Sequence, residues 1–378
     1  MRVCLVFDCL YPYTVGGAER WYRSLAEGLA DRGEQVTYLT RLLWKPASGP
    51  EVPGVEVVAV SPAGKLYSGG RRSIAVQVRF ALGVFVHLLR HGGRYDVVQT
   101  PGLYVSFLAV LAARFFRRFD VVVDWFEVWT REYWLEYLGG IAGRIGWRAQ
   151  RFSARRPHKA LCFSRLHAAR LEQLGHRGPI TLVEGLSVLP AEIPAPAPAG
   201  PLVVFAGRHI PEKQAPAVVP AVALARERIP GLRAEIFGDG PDRGEVLRRI
   251  EKHDLAGAVS APGFVEAEQV RESVRRALCH LFPSRREGYG IVVVEAAALG
   301  TPTVVVRTPD NAAVELLEDG INGVVADSAD PTDLADAILR VHDAGPELRS
   351  STADWCRRNR KRLSLESSLE IVLGVYGR

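Results

Sequence analysis

Pro190-Ala-Glu-Ile-Pro-Ala-Pro-Ala-Pro-Ala-Gly-Pro201 runs directly into Leu202-Val-Val-Phe-Ala206. Five prolines in twelve residues remove backbone donors and exclude regular structure, so the first stretch reads as a semi-rigid spacer. The second is an uncharged, β-branched and aromatic run, the pattern of a strand buried on both faces. A folding unit therefore ends near residue 195 and another begins at once.

Outward from this break, short apolar runs alternate with longer segments of helical period. Upstream, strands are predicted over residues 2–7, 35–40, 55–60, 96–99, 120–124 and 160–163, with helices over 18–32 and 72–90. Downstream, strands are predicted over 202–206, 233–237, 258–260, 279–282, 303–307 and 323–326. Strand–helix alternation argues for parallel α/β layers. The expected architecture is α/β: two Rossmann-like domains over 1–190 and 202–378, joined by a linker over 191–201. The last helix of the second is expected to pack back on the first. In open sheets of this kind ligands sit beyond the carboxyl ends of the strands, so the two domains should face each other across a cleft that holds the chemistry.

The 378 residues are 48% apolar and 24% charged, a composition of globular chains, and too many for one ordinary core. Five scattered cysteines without a CxxC pair point to buried thiols in a reducing compartment. Asp8 arrives too early for residues 1–7 to be the apolar core of a signal peptide, and the uncharged stretch 102–113 is too short to span a bilayer. A net charge of +6 suits anionic partners.

Four places carry chemistry. Gly16-Gly17-Ala-Glu19-Arg20 opens a helix after the first strand, where backbone N–H groups can meet a phosphate. Gly238-Asp-Gly240-Pro-Asp-Arg-Gly244 has a dinucleotide-like spacing, yet Pro241 and Asp242 occupy the turn where a pyrophosphate would need donors. It reads better as a plain strand-to-helix turn. Arg208 and Lys213 share the loop after the strand 202–206, two cations able to neutralise a diphosphate. The strongest signal is Pro283-Ser284-Arg-Arg-Glu287-Gly288-Tyr289-Gly290-Ile291, followed by Glu295. Two glycines expose N–H groups at a helix start, and Glu295 lies one and a half turns in, half-buried among Val and Ala, where a carboxylate wants a partner.

Together these motifs resemble glycosyltransferase family 4, retaining enzymes of the GT-B type. The resemblance rests on Gly16–Arg20, Gly207-Arg208 with Glu212-Lys213, Gly238-Asp-Gly-Pro241, Pro262-Gly263-Phe264-Val265, Glu287-Gly-Tyr-Gly290 with Glu295-Ala296, Gly300-Thr-Pro302, and the segment from Glu315 to Gly323. It covers most of the chain, densely after residue 200 and thinly between 40 and 200. It implies that the first domain binds the acceptor and the second a nucleotide-sugar donor, UDP- or GDP-linked, as substrate. Arg208 and Lys213 would hold the diphosphate, Glu287 the sugar, Glu295 the ribose, and Gly263, Phe264 and Val265 would flank the base. Gly16, Gly17, Gly288, Tyr289, Gly290 and Ile291 would line the donor. No cofactor or metal is required, consistent with the lack of a DxD motif. Departures are Gln99-Thr100-Pro101 and Asp124–Glu127 where relatives carry histidines, Gln214 for a glycine, and Asp310-Asn311 for a Gly-Gly pair.

Asp124 and Glu127 are then the loose candidates for acceptor contacts. The aromatic run from Trp125 to Tyr137, with arginines among apolar residues over 108–119 and 141–156, suits an anionic membrane surface or stacking on sugar rings. The expected acceptor is a lipid-linked or cell-envelope glycan, with a small molecule second. The expected location is the cytoplasm, with peripheral association at the inner face of the membrane. A sugar-nucleotide epimerase is the rival sharing this architecture. A nicotinamide enzyme is disfavoured by the poor phosphate loop, and nucleic-acid binding by the lack of a reader motif.

Overall fold

The computed structural model describes residues 1–44, 49–64, 67–68, 71–103 and 105–377. The chain forms two compact units, Met1–Leu186 with Leu365–Arg378, and Ser187–Ser364.

The first unit is built on seven parallel strands: β1 (Arg2–Val6), β2 (Gln35–Arg41), β3 (Val55–Ser61), β4 (Val97–Pro101), β5 (Asp120–Trp125), β6 (Lys159–Cys162) and β7 (Ile180–Leu182). Their order is β3-β2-β1-β4-β5-β6-β7. Among them run α1 (Gly17–Asp31), α2 (Ile74–His91), α3 (Val105–Phe116), α4 (Arg131–Leu138), α5 (Gly140–Ala154) and α6 (Arg165–Gln173). Strands covered on both sides bury successive residues, which is why β1 and the middle of β5 are continuous apolar runs after the first strand residue. The edge strand β7 is absent from the sequence reading. Its three residues are only half-buried, too short and too mild a run to stand out.

The second unit has six parallel strands: β8 (Leu202–Ala206), β9 (Arg233–Phe237), β10 (Val259–Gly263), β11 (Cys279–Phe282), β12 (Thr303–Val306) and β13 (Gly323–Ala326), ordered β10-β9-β8-β11-β12-β13. Its helices are α7 (Val218–Ala225), α8 (Arg243–Lys252), α9 (Ala267–Arg276), α10 (Ile291–Ala298) and α11 (Pro331–Leu363), the last broken at Gly345. Then α12 (Leu365–Tyr376) joins the first unit, where Leu369 contacts Gly28 of α1 and Ser368 accepts from Gly185 N–H at 2.9 Å.

In both sheets the order reverses beside the first strand, between β1 and β4 and between β8 and β11. Such a reversal leaves a crevice at the carboxyl ends of the strands, because the loops on either side depart in opposite directions.

Residues 191–201 have no regular structure, but they belong to the second unit instead of standing free of it as a spacer. A proline run keeps its carbonyls while losing its donors, so those oxygens need partners. Three arginines supply them: Arg349 bonds Ala197 O at 2.9 Å, Arg357 bonds Ile193 O at 3.3 Å and Arg360 bonds Pro190 O at 2.8 Å. All five cysteines are buried.

Candidate active site

The crevice of the second unit is flanked by the loops leaving β8 and β11, and these hold most of the predicted residues. β8 ends at Ala206 and the chain turns out through Gly207, exposed Arg208 and buried His209 to Lys213. Main-chain bonds stitch the neighbouring strand ends together: Gly207 N–H to Phe237 O at 3.1 Å, His209 N–H to Asp239 O at 2.8 Å, and Gly238 N–H to Gly263 O at 2.9 Å.

This stitching explains the second glycine loop. Gly238 has φ 113°, and a Cβ there would stand 2.0 Å from Gly207 O; one on Gly240 would stand 2.4 Å from His209 O. The N–H groups of Gly238, Gly240, Asp242 and Arg243 already donate to Gly263 O, Asp239 Oδ1, His209 O and Gly240 O. The glycines clear the adjacent backbone, and the donors that would cradle a pyrophosphate are spent within the protein. It is a packing turn.

The loop after β11 is tied to the loop after β8 at three points. Lys213 Nζ is paired with Glu287 Oε1, the two side chains 19% and 10% exposed. Arg286 lies 3.9 Å from Glu212, and Arg285 N–H donates to Glu212 O at 2.9 Å. Lys213 also sits 4.8 Å from the centre of the Phe282 ring, a cation–π contact beside the ion pair. Below them, burial and the repulsion of Lys213 push the His280 imidazole down to about 4, so it is neutral. Cation and carboxylate thus enter one cluster from opposite sides of the strand reversal.

Gly288 is half-buried and Tyr289 buried, and they lead to Gly290, which caps α10 with φ 100°. A Cβ on Gly290 would lie 2.5 Å from Ala313 Cβ. α10 starts at Ile291 without a side-chain cap, so its first turn presents main-chain donors. Glu295 is half-buried in the second turn, between Val294 and Ala296. At the end of β10, Gly263 is buried, Phe264 is 70% exposed, and Val265 packs against a small core cluster that includes Leu202 and Phe237.

Two departures from the family pattern have structural roles. Gln214 takes the left-handed backbone, φ 50°, that a glycine would hold without strain. Asn311 is buried, donates to Ser284 O at 3.0 Å and Val306 O at 2.8 Å, and accepts from Ala313 N–H at 3.1 Å. Arg286-Glu287 also pairs with Asp310-Asn311 as a two-residue parallel bridge. Asn311 therefore sets the position of the Glu287 loop. Sequence reading missed this because Ser284 and the Arg286-Glu287 segment lie more than twenty residues away in the chain.

The other predicted residues lie in the first unit. Gly16 is the extended N-cap of α1, which has no side-chain cap and starts at Gly17. Asp124, expected as an acceptor contact, is an internal carboxylate 1% exposed. Gln99 Nε2 donates to its two oxygens at 2.8 and 2.9 Å and Trp21 Nε1 to Oδ2 at 3.4 Å, while Tyr376 of α12 donates to Gln99 Oε1. Burial outweighs these bonds and drives the carboxyl up to about 7. Its burial has a plain cause: β5 is an interior strand, and its last residues close the core. Glu127, beyond that strand, is half-buried and accepts from Trp129 Nε1 at 2.6 Å.

By sequence, residues 16–184 match the glycosyl transferase 4-like domain, and residues 192–361 match glycosyl transferases group 1. Among curated relatives, the alpha-D-kanosaminyltransferase of Streptomyces kanamyceticus is 31% identical over 177 residues, 47% of this chain and 45% of that protein. The match thus takes in less than half of the relative's length. Among solved structures, sucrose-phosphate synthase of Thermosynechococcus elongatus superposes with a TM-score of 0.78 at 18% identity, covering 99% of this chain and 98% of that one. HepE of Anabaena, solved in complex with UDP and glucose, gives 0.74 at 17% identity with coverage of 99% and 98%. Each half of the chain thus matches a glycosyltransferase domain model, and the fold is GT-B.

Proposed function

We propose that this GT-B glycosyltransferase moves a sugar from a nucleoside diphosphate donor to an acceptor hydroxyl, with retention of anomeric configuration and without a metal. The observation that carries the reading is the cluster at the strand reversal of the second unit, where the Arg208–Lys213 loop is tied to the Glu287 loop, which leads into the uncapped start of α10. Cleaving the bond between a sugar and a diphosphate leaves negative charge on phosphate oxygens. Arg208, Lys213 and the N–H groups of the first turn of α10 are the groups suited to stabilise it. Glu287, beside Lys213, is assigned to the sugar hydroxyls and Glu295 to the ribose. Gly263, Phe264 and Val265 are assigned to the base, and the first turn of α1 after Gly16 and Gly17 to phosphate. In a retaining transfer without a nucleophile, the acceptor attacks the face the diphosphate leaves, and a leaving phosphate oxygen takes the acceptor proton.

UDP is the first donor nucleotide to test, since HepE was solved with it, and GDP the second. A lipid-linked or cell-envelope glycan is the preferred acceptor. A soluble small molecule is the second acceptor class to test.

The test is calorimetric titration with UDP, GDP, ADP, TDP and NAD in the presence of EDTA. Binding of one diphosphate, lost in Arg208→Ala, is the expected result. Binding of NAD alone, or of none, overturns the proposal. Conversion of the sugar nucleotide to an epimer without any acceptor would select the epimerase instead.

A further inference from the structure

We propose that the outer face of the first unit's α2–α3–α5 layer docks on an anionic lipid surface. The inner sides of these helices (Phe80, Val84 and Leu88; Phe107 and Val110; Ala154) enter one core cluster with the strands, so all three cover the same side of the sheet. Their ends are tied together: Arg117, just past α3, donates to Leu89 O of α2 at 2.8 Å, and Arg114 of α3 donates to Pro157 O, just past α5, at 3.0 Å.

The outer side is apolar where a solvated helix would be polar. Ile74, Val78, Leu82 and Val86 recur every fourth residue along α2 and are 63%, 41%, 60% and 42% exposed. Phe115 and Phe116 end α3 at 87% and 61%, and Ile141 and Ile145 on α5 are 77% and 61% exposed. α2 has the length and composition to cross a membrane, but its buried inner side holds it in the layer, so it can only lie along a surface.

Charge selects the occupant. α2, α3 and α5 contain no aspartate or glutamate, and their charged residues are all cations, including Arg79, Arg114, Arg144, Arg148 and Arg151. On the second unit's helices, by contrast, Arg248 and Arg249 pair with Glu245, and Arg275 with Glu272. A second copy would set cations against cations, and a nucleic acid would leave the apolar stripe in water. A leaflet of anionic lipid satisfies both, headgroups meeting guanidiniums and acyl chains meeting Ile, Leu and Phe.

The test is co-sedimentation of the full chain with vesicles of phosphatidylcholine alone or mixed with phosphatidylglycerol, at low and high salt. Expected is salt-sensitive binding to the mixed vesicles only. Leu82→Glu with Phe115→Glu should weaken it roughly tenfold or more, and Arg148→Glu alone about fivefold or more. Leu247→Glu, on the second unit, should change nothing. Nucleotide titration and circular dichroism of each variant show that it is folded. Equal binding to neutral vesicles, no vesicle binding, unchanged binding by the double variant, or a lipid-free dimer dispersed by Leu82→Glu would each overturn the proposal.

Discussion

Replacing Gly290 by alanine adds one methyl group where the Glu287 loop becomes α10. Two costs can be worked from the geometry. At φ 100° an L-residue is strained, about 1–2 kcal/mol. The new Cβ would also stand 2.5 Å from Ala313 Cβ and 3.1 Å from Ala313 Cα, an overpacking worth about 1–3 kcal/mol because Ala313 is fully buried. The sum is about 3 kcal/mol, taken from the stability of the second unit. Hydrogen exchange read by mass spectrometry across that unit measures its opening free energy directly. The two costs separate in a cycle. Ala313→Gly removes the closest contact but not the backbone strain, so Gly290→Ala with Ala313→Gly should be less destabilised than the sum of the single variants by about 1–2 kcal/mol. Donor nucleotide affinity should fall with Gly290→Ala, since the methyl displaces the first turn of α10. Additivity within about 0.5 kcal/mol, or a Gly290→Ala protein as stable as the parent, would refute this account.

Other consequences are open to the same treatment. Arg349 is 4% exposed and donates to the carbonyls of Ala197, Ala277 and Arg275, so Arg349→Ala should cost the second unit about 3 kcal/mol, and Arg349→Lys should recover less than half. Asp124 keeps its proton up to about 7 when folded, while an unfolded aspartate ionises near 4. Its contribution is therefore complete below about pH 4, is lost as pH rises to about 7, and is flat above. Asp124→Asn should gain stability relative to the parent across that window in chemical unfolding, and parallel pH curves would disprove the assignment. Glu295→Ala should weaken donor binding in calorimetry, whereas Glu287→Ala should lower turnover more than nucleotide affinity. The reverse pattern would exchange the roles proposed for the two carboxylates.

By itself the sequence determined the alternating layers and, to within a few residues, the ends of every sheet strand but β7. Near-continuous apolar runs such as Leu202–Ala206 can only be strands covered on both faces, and Gly290 ahead of Ile291–Ala298 marks a helix start. These signals are local, so the positions of Arg208, Lys213 and Glu287 on strand-end loops, and of Glu295 in the helix that follows, were legible. Only the tertiary structure decided what those residues meet. The order β10-β9-β8-β11 is what sets the Lys213 loop beside the Glu287 loop, across 74 residues of chain. The same assembly turned Asp124 inward onto Gln99 and brought Tyr376 to it from the far end of the chain, across 277 residues. It also strapped residues 190–197 to Arg349, Arg357 and Arg360. A spacing pattern reports how one element buries its own face; which distant element arrives to pair a charge or a carbonyl depends on strand order, and no local run of residues records that.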